Sequence, residues 1–363
     1  MRSRTGPRSR PLAALLIATA LGATLLGAGT YATAGTTGPG TAAAPAAAHS
    51  GHRTAAVAAV PTADDPDGDG WIPAVPQVTA TPSHANPPDR YFHEFQANCD
   101  VTHTAPDDPI VYPGRPGASH DHTFMGNRST NGNSTTGTLY GGTTTCKAPG
   151  DASAYWMPSL YDGDRKVLPT GPQVIYYKTG VTDYTSVRPF PRGLRFVVGD
   201  PAQSLEQFRG HRGWVEGWEC GDSYKNPDFP ANCPVGTQLN IRMQSPSCWD
   251  GKFLDTPDHR SHMSYPVVKP GTNDNVCPAS HPVAVPMVEF KMAFPVSGDM
   301  SRVRLASGRG YSFHYDFFNA WEERTLKALV DHCIRGGLQC NARGYDETHP
   351  AAGAALGPDY RLP

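Results

Sequence analysis

Two stretches decide the fold: Gln238-Leu239-Asn240-Ile241-Arg242-Met243-Gln244 and Val288-Glu289-Phe290-Lys291-Met292-Ala293-Phe294. Each places an apolar side chain at every second position. That alternation marks a strand with one buried face. Working outward, Gln173–Lys178 is β-branched and aromatic, and Gly193–Val198 alternates again. From about Tyr91 to residue 315 such runs are separated by Gly, Pro, Asn and Asp. The chain carries 38 Gly and 36 Pro in 363 residues, so turns and long loops are expected throughout. About 270 residues suffice for one large core. The expectation is a mostly β, single β-sandwich-like domain with long loops over residues 89–345, followed by a C-terminal tail, 346–363.

One helix is expected near the end. Phe317, Trp321, Thr325, Leu329 and Cys333 recur every four residues, with Leu326 and Val330 beside them, as one apolar stripe. Asn319 is placed to cap its start with Glu322 at the third position, and Gly336-Gly337 to stop it.

All eight cysteines lie in the domain. The N-terminus carries Arg2, Arg4, Arg8 and Arg10, then an uncharged run over 12–28, then Ala32-Thr33-Ala34. This reads as a secretory signal peptide, 1–34, and no other stretch approaches a transmembrane length. An even cysteine count in an exported chain predicts four disulfides and no free thiol. Eight cysteines allow roughly a hundred pairings. Short loops containing or flanked by Pro or Gly favour Cys333–Cys340 and Cys220–Cys233, which leaves Cys99–Cys146 and Cys248–Cys277. No C-x-x-C pair suggests a zinc knuckle. Residues 35–88 read as a low-complexity spacer with an acidic turn over 64–70. Asp65, Asp67, Asp69 and Gly70 match the first half of a calcium loop, but Pro76 stands at the twelfth position, so a turn is the better reading. Loss of the four arginines moves the formal charge from −2 to −6. An acidic mature chain argues against nucleic acid or an anionic membrane as partner.

Histidine carries the chemistry. Three groups stand out: Ser119-His120-Asp121-His122; Asp250-Gly251 with Asp255, Asp258, His259 and His262; and His314-Tyr315-Asp316. On a strand, residues two apart share a face, so His120 with His122, and His314 with Asp316, could each turn toward one point. His259 and His262 are neighbours on one turn. Imidazoles and carboxylates from distant segments suit one divalent ion, zinc, manganese, iron or copper. The metal candidates are His120, His122, His259, His262, His314 and Asp316, and His122 and His262 are expected to share a site with Asp258 or Asp316. The bland alternative has each histidine bonding a backbone carbonyl and holding a loop. A metal-free reading makes Asp250 and Asp258 a glycosidase-like acid and base, with Asp255 ordering the turn. Trp156, Tyr161 and Trp249 are candidates for stacking on sugar rings.

The order of motifs resembles a known family. The carriers are Phe92-His93-Glu94-Phe95 before Cys99; Tyr112-Pro113-Gly114 before Ser119-His120-Asp121-His122; Tyr155-Trp156; Cys248-Trp249-Asp250-Gly251 through Ser261-His262; His281-Pro282; and Asp316-Phe317 before Trp321. Together they resemble a secreted bacterial and fungal domain of unknown function, number nineteen ninety-six, over about residues 91–340. The resemblance implies no established reaction, cofactor or catalytic residue. Fungal members often carry a WSC module linked to cell-wall glycans. That association implies a polysaccharide or cell-wall partner.

Overall fold

The Leu239–Gln244 strand buries Leu239, Ile241 and Met243 and leaves Asn240 and Arg242 half-buried. It pairs antiparallel with Met287–Phe294, Ile241 opposite Met292 and Met243 opposite Phe290. The two stretches with the clearest alternation are therefore neighbours. In this computed structural model residues 60–81, 93–210, 217–221 and 226–363 are described. The expected signal peptide lies outside them, as does the expected spacer except for 60–81. Among the described residues no helix is long and apolar enough to cross a membrane.

Two five-stranded antiparallel sheets form the body. The first runs Trp218–Glu219, Leu239–Gln244, Met287–Phe294, Val174–Lys178, Glu94–Gln96. The second runs Val101–Ala105, His122–Gly126, Ala154–Pro158, His314–Phe318, Arg195–Gly199. Their inner faces meet in one core. Phe290 stacks on Tyr315 with ring centroids 3.9 Å apart, and Tyr155 lies 5.7 Å from Phe290. Such pairs add about 0.5–1.5 kcal/mol each beyond their buried area. The mostly β sandwich is as expected.

All four cysteine pairs form as expected: Cys99–Cys146, Cys220–Cys233, Cys248–Cys277 and Cys333–Cys340. No cysteine is free.

Three expectations change. The helix begins later, as Glu323–Leu329, and continues as a wider turn through Val330–Ile334. Glu322 caps it by accepting from the Arg324 and Thr325 amides. Phe317 belongs to a strand, and the Asn319 side chain accepts from the Trp321 amide ahead of the helix. The period of four continued into the strand because Phe317 and Trp321 both point into the core.

Second, the end of the expected spacer is built into the domain. Ile72–Pro73 pairs with Phe253–Asp255, and Trp71 packs edge-on against Phe253. Asp64 accepts from the Thr136 amide and from Arg195 at 2.7 Å, with both partners of this ion pair largely buried. A few apolar side chains and one buried ion pair suffice to fasten a stretch that composition marks as flexible. The Asp65 carboxylate accepts from the Gly68 and Gly70 amides, as an acidic turn does.

Third, the tail 346–363 packs back on the domain, burying Asp346 and Leu356.

Candidate metal centre

The outer face of the second sheet is covered rather than solvated: Phe124, Trp156, Val197 and Phe318 belong to a second apolar cluster there, and His122, His314 and Asp316 are buried on the same face. Strand pairing sets two rows across it. Phe124, Trp156, Asp316 and Val197 stand side by side in one. In the next, His122 lies opposite Pro158 and His314 opposite Gly199. Period two carries His314 and Asp316 outward while Tyr315 and Phe317 enter the core. Gly199 has φ +89°, and a Cβ there would meet the Phe313 carbonyl oxygen at 2.7 Å. Only glycine lets this strand lie so close beside His314.

Three imidazoles converge over these rows. His120, His122 and His314 each offer a ligand atom within 4.8 Å of the others. The ring of His120 lies 4.3 Å from that of His122 and 5.0 Å from that of His314. His122 Nδ1 donates to the Asp107 carbonyl at 2.9 Å, and His314 Nδ1 donates to the Ser312 carbonyl at 3.0 Å. A carbonyl only accepts, so each ring keeps its proton on Nδ1 and turns a bare lone pair outward from Nε2. Those two Nε2 atoms face each other at 3.4 Å. Neither can donate to the other.

A second group shares His122: Asp108, His122 and Asp316 also offer ligand atoms within 4.8 Å of one another. Asp108 caps its own loop, accepting from the Ile110 and Val111 amides. Asp316 is fully buried, and neither of its oxygens has a hydrogen-bond partner. His120 Nε2 and Trp156 Nε1 are likewise buried without one. Burial and the neighbouring Asp108 charge push the Asp316 carboxyl well above the ordinary carboxylate range. Burial raises Asp108 to about 6. Burial, reinforced by the neighbouring His120, lowers His314 to about 3. His122 is lowered well below its ordinary value by burial and by the adjacent His120 and His314. Neutral imidazoles and crowded carboxylates are a costly combination that a cation would relieve.

The other expected members sit elsewhere. His262 bonds Thr256 Oγ1 through Nδ1 and the Arg195 carbonyl through Nε2, so both ring nitrogens are taken by the loop. His262 is not part of the cluster. His259 Nδ1 faces the Asp255 carboxylate at 3.0 Å. Its ring stands beside the group rather than in it, close enough for its charge to act on Asp108. Asp258 accepts from Thr256 and from the Arg260 and Ser261 amides, and Asp250 accepts from the Lys252 and Phe253 amides. Each of the two is committed to its own turn, which removes the support for an acid and base pair. Trp156 and Trp249 are buried, so neither presents an open face to a sugar ring. Tyr161 is half-buried, its hydroxyl on Asp121 and its ring under Arg304. Asp108 and Arg260 went unread: an acid in a turn-rich loop and an arginine between two histidines carry no sequence mark.

A family model described as "Domain of unknown function (DUF1996)" matches residues 108–321, and the chain belongs to that family. The match begins at Asp108 and contains every member of the cluster. No curated protein and no solved structure matches the chain.

Proposed function

We propose that this member of the DUF1996 family is an exported metal-binding protein that holds one divalent transition-metal ion on His120, His122 and His314, with Asp316 and Asp108 balancing its charge. The supporting observation is the facing pair of Nε2 lone pairs at 3.4 Å. Two nitrogens bonded to one tetrahedral ion at about 2.0–2.1 Å lie about 3.3–3.4 Å apart. The carbonyls behind Nδ1 serve as the outer partners that orient metal-binding imidazoles. Three protein nitrogens leave a coordination position free, the arrangement of sites in which the ion acts as a Lewis acid on a bound oxygen. His120 is the half-buried member of the three. Four disulfides fit an oxidising compartment.

The test is elemental analysis of the purified protein, then reloading after chelation. One equivalent of metal is expected in the wild type, and none in His122→Ala/His314→Ala under the same conditions. A His262→Ala variant that remains folded should keep its metal. A folded double variant that binds as the wild type does would overturn the assignment.

A further inference from the structure

We infer that the ligand of this ion is an oxyanion, a carboxylate or phosphate group, gripped between the metal and the guanidinium of Arg260. The inference rests on the metal reading above and concerns what the centre takes.

Arg260 is placed by the backbone. His259 adopts φ +56°, a left-handed conformation that costs energy in a residue with a side chain. Its carbonyl accepts from the Val197 amide at 3.0 Å, and Val197 lies opposite Asp316 across the strand pair. The strained turn therefore clamps residue 260 over the edge of the row that holds Asp316. Among the described residues the Arg260 side chain has one ion pair, a 3.8 Å contact with Asp200, and both side chains are about two-fifths exposed. Exposed pairs of this kind hold weakly. Yet Arg260 Nε is buried and has no partner among the described residues.

The unpaired groups then sort by sign. A cation would satisfy the acceptors, Asp316 and the imidazole nitrogens. It would leave two buried donors, Arg260 Nε and Trp156 Nε1, with nothing to donate to. Two carboxylates cancel one divalent ion, and Arg260 has only the long, exposed Asp200 contact to set against its own charge. A guanidinium beside a metal is better tolerated when an anion comes between them. An oxyanion on the free position would accept from Arg260 through a charge-assisted bond and complete the charge balance.

The experiment uses the cobalt(II)-loaded protein, whose visible bands report ligands entering the metal's coordination sphere. Acetate and inorganic phosphate are titrated separately, with acetamide as a neutral control, and cobalt content is measured in every sample. The expected result is saturable spectral change with acetate, phosphate or both, and none with acetamide; which anion binds more tightly identifies the group. Arg260→Gln should retain one equivalent of cobalt and lose about tenfold or more in anion affinity. Arg260→Lys should fall between. Asp200→Asn, which frees Arg260 from its competitor, should tighten binding. Cobalt retained with anion affinity unchanged in Arg260→Gln would overturn the inference while sparing the metal site. A wild-type protein that takes up no cobalt would overturn both.

Discussion

Asp316 offers the sharpest single perturbation. Its side chain is fully buried beside Asp108 and His122, and both oxygens lack hydrogen-bond partners. A buried polar group without a partner costs about 1–3 kcal/mol. Asp316→Asn keeps the shape, removes a carboxyl that burial and Asp108 make costly to ionise, and provides an amide that can donate to the Asp108 carboxylate or to an imidazole nitrogen. In the metal-free protein the variant should therefore be more stable than wild type by about 1–3 kcal/mol. For a domain of this size each kcal/mol moves the melting temperature by roughly 2–4 °C. Zinc reverses the order. A ligand at a hundred times its Kd stabilises the native state by about 2.7 kcal/mol. Wild type should gain that amount, and the variant should lose most of it with the carboxylate. Thermal melts of chelator-treated protein, with and without zinc, measure both terms. A metal-free variant that melts below metal-free wild type, or an equal zinc shift in the two, would show that Asp316 is an ordinary structural carboxylate.

Two further outcomes follow from the scaffold. Because residues 64–78 pair with the domain, a chain beginning at residue 82 should melt well below one beginning at residue 35. Asp64→Asn alone should cost on the order of 3 kcal/mol by stranding Arg195; an unchanged melting temperature in either would restore the spacer boundary at 88. Glu289 gives the pH test. Burial opposes its ionisation, but the Arg242 hydrogen bond, the Lys178 charge and the Gln244 amide together outweigh it, and the carboxyl lies below its ordinary value. A depressed carboxyl stabilises above its unfolded pKa, about 4.3, and loses that contribution as pH falls through the lower folded value. Glu289→Gln should thus be destabilised at pH 7, with the difference closing below about pH 4. Urea melts at both pH values that show a constant difference would contradict this.

How much was legible depended on how each strand is buried. Leu239–Gln244 and Met287–Phe294 alternate visibly because one face meets the core and the other meets polar groups. His122–Gly126 and His314–Phe318 are buried on both faces, so no polar run marks an exposed side. Their histidines and Asp316 still stood out, because two-residue spacing on a strand is a local property. What could not be read was the fate of the second pair. His259 and His262 look as promising as His120 and His122. Their difference lies in partners distant in sequence: the Arg195 carbonyl takes His262, and Asp255 takes His259. Asp108 and Arg260 enter only because their loops fold over the same rows.

Partners also separate a site from a loop lock. Asp107, Asp250 and Asp258 are carboxylates in turns, and each receives backbone amides at 2.7–3.2 Å. Asp316 stands on a regular strand whose alternate residues are packed into the core, a setting in which nothing local prevents an apolar side chain. Among the described residues it is the one carboxylate with both oxygens buried and unpartnered. Those turn carboxylates have donors of their own, whereas this one stands without a donor beside His122 and a second acid, Asp108, and it is the observation that the metal proposal rests on most heavily after the facing imidazoles. The left-handed His259 and the clamped Arg260 repeat the pattern on the opposite sign. Strain and an unpaired donor stand together at the edge of the same two rows.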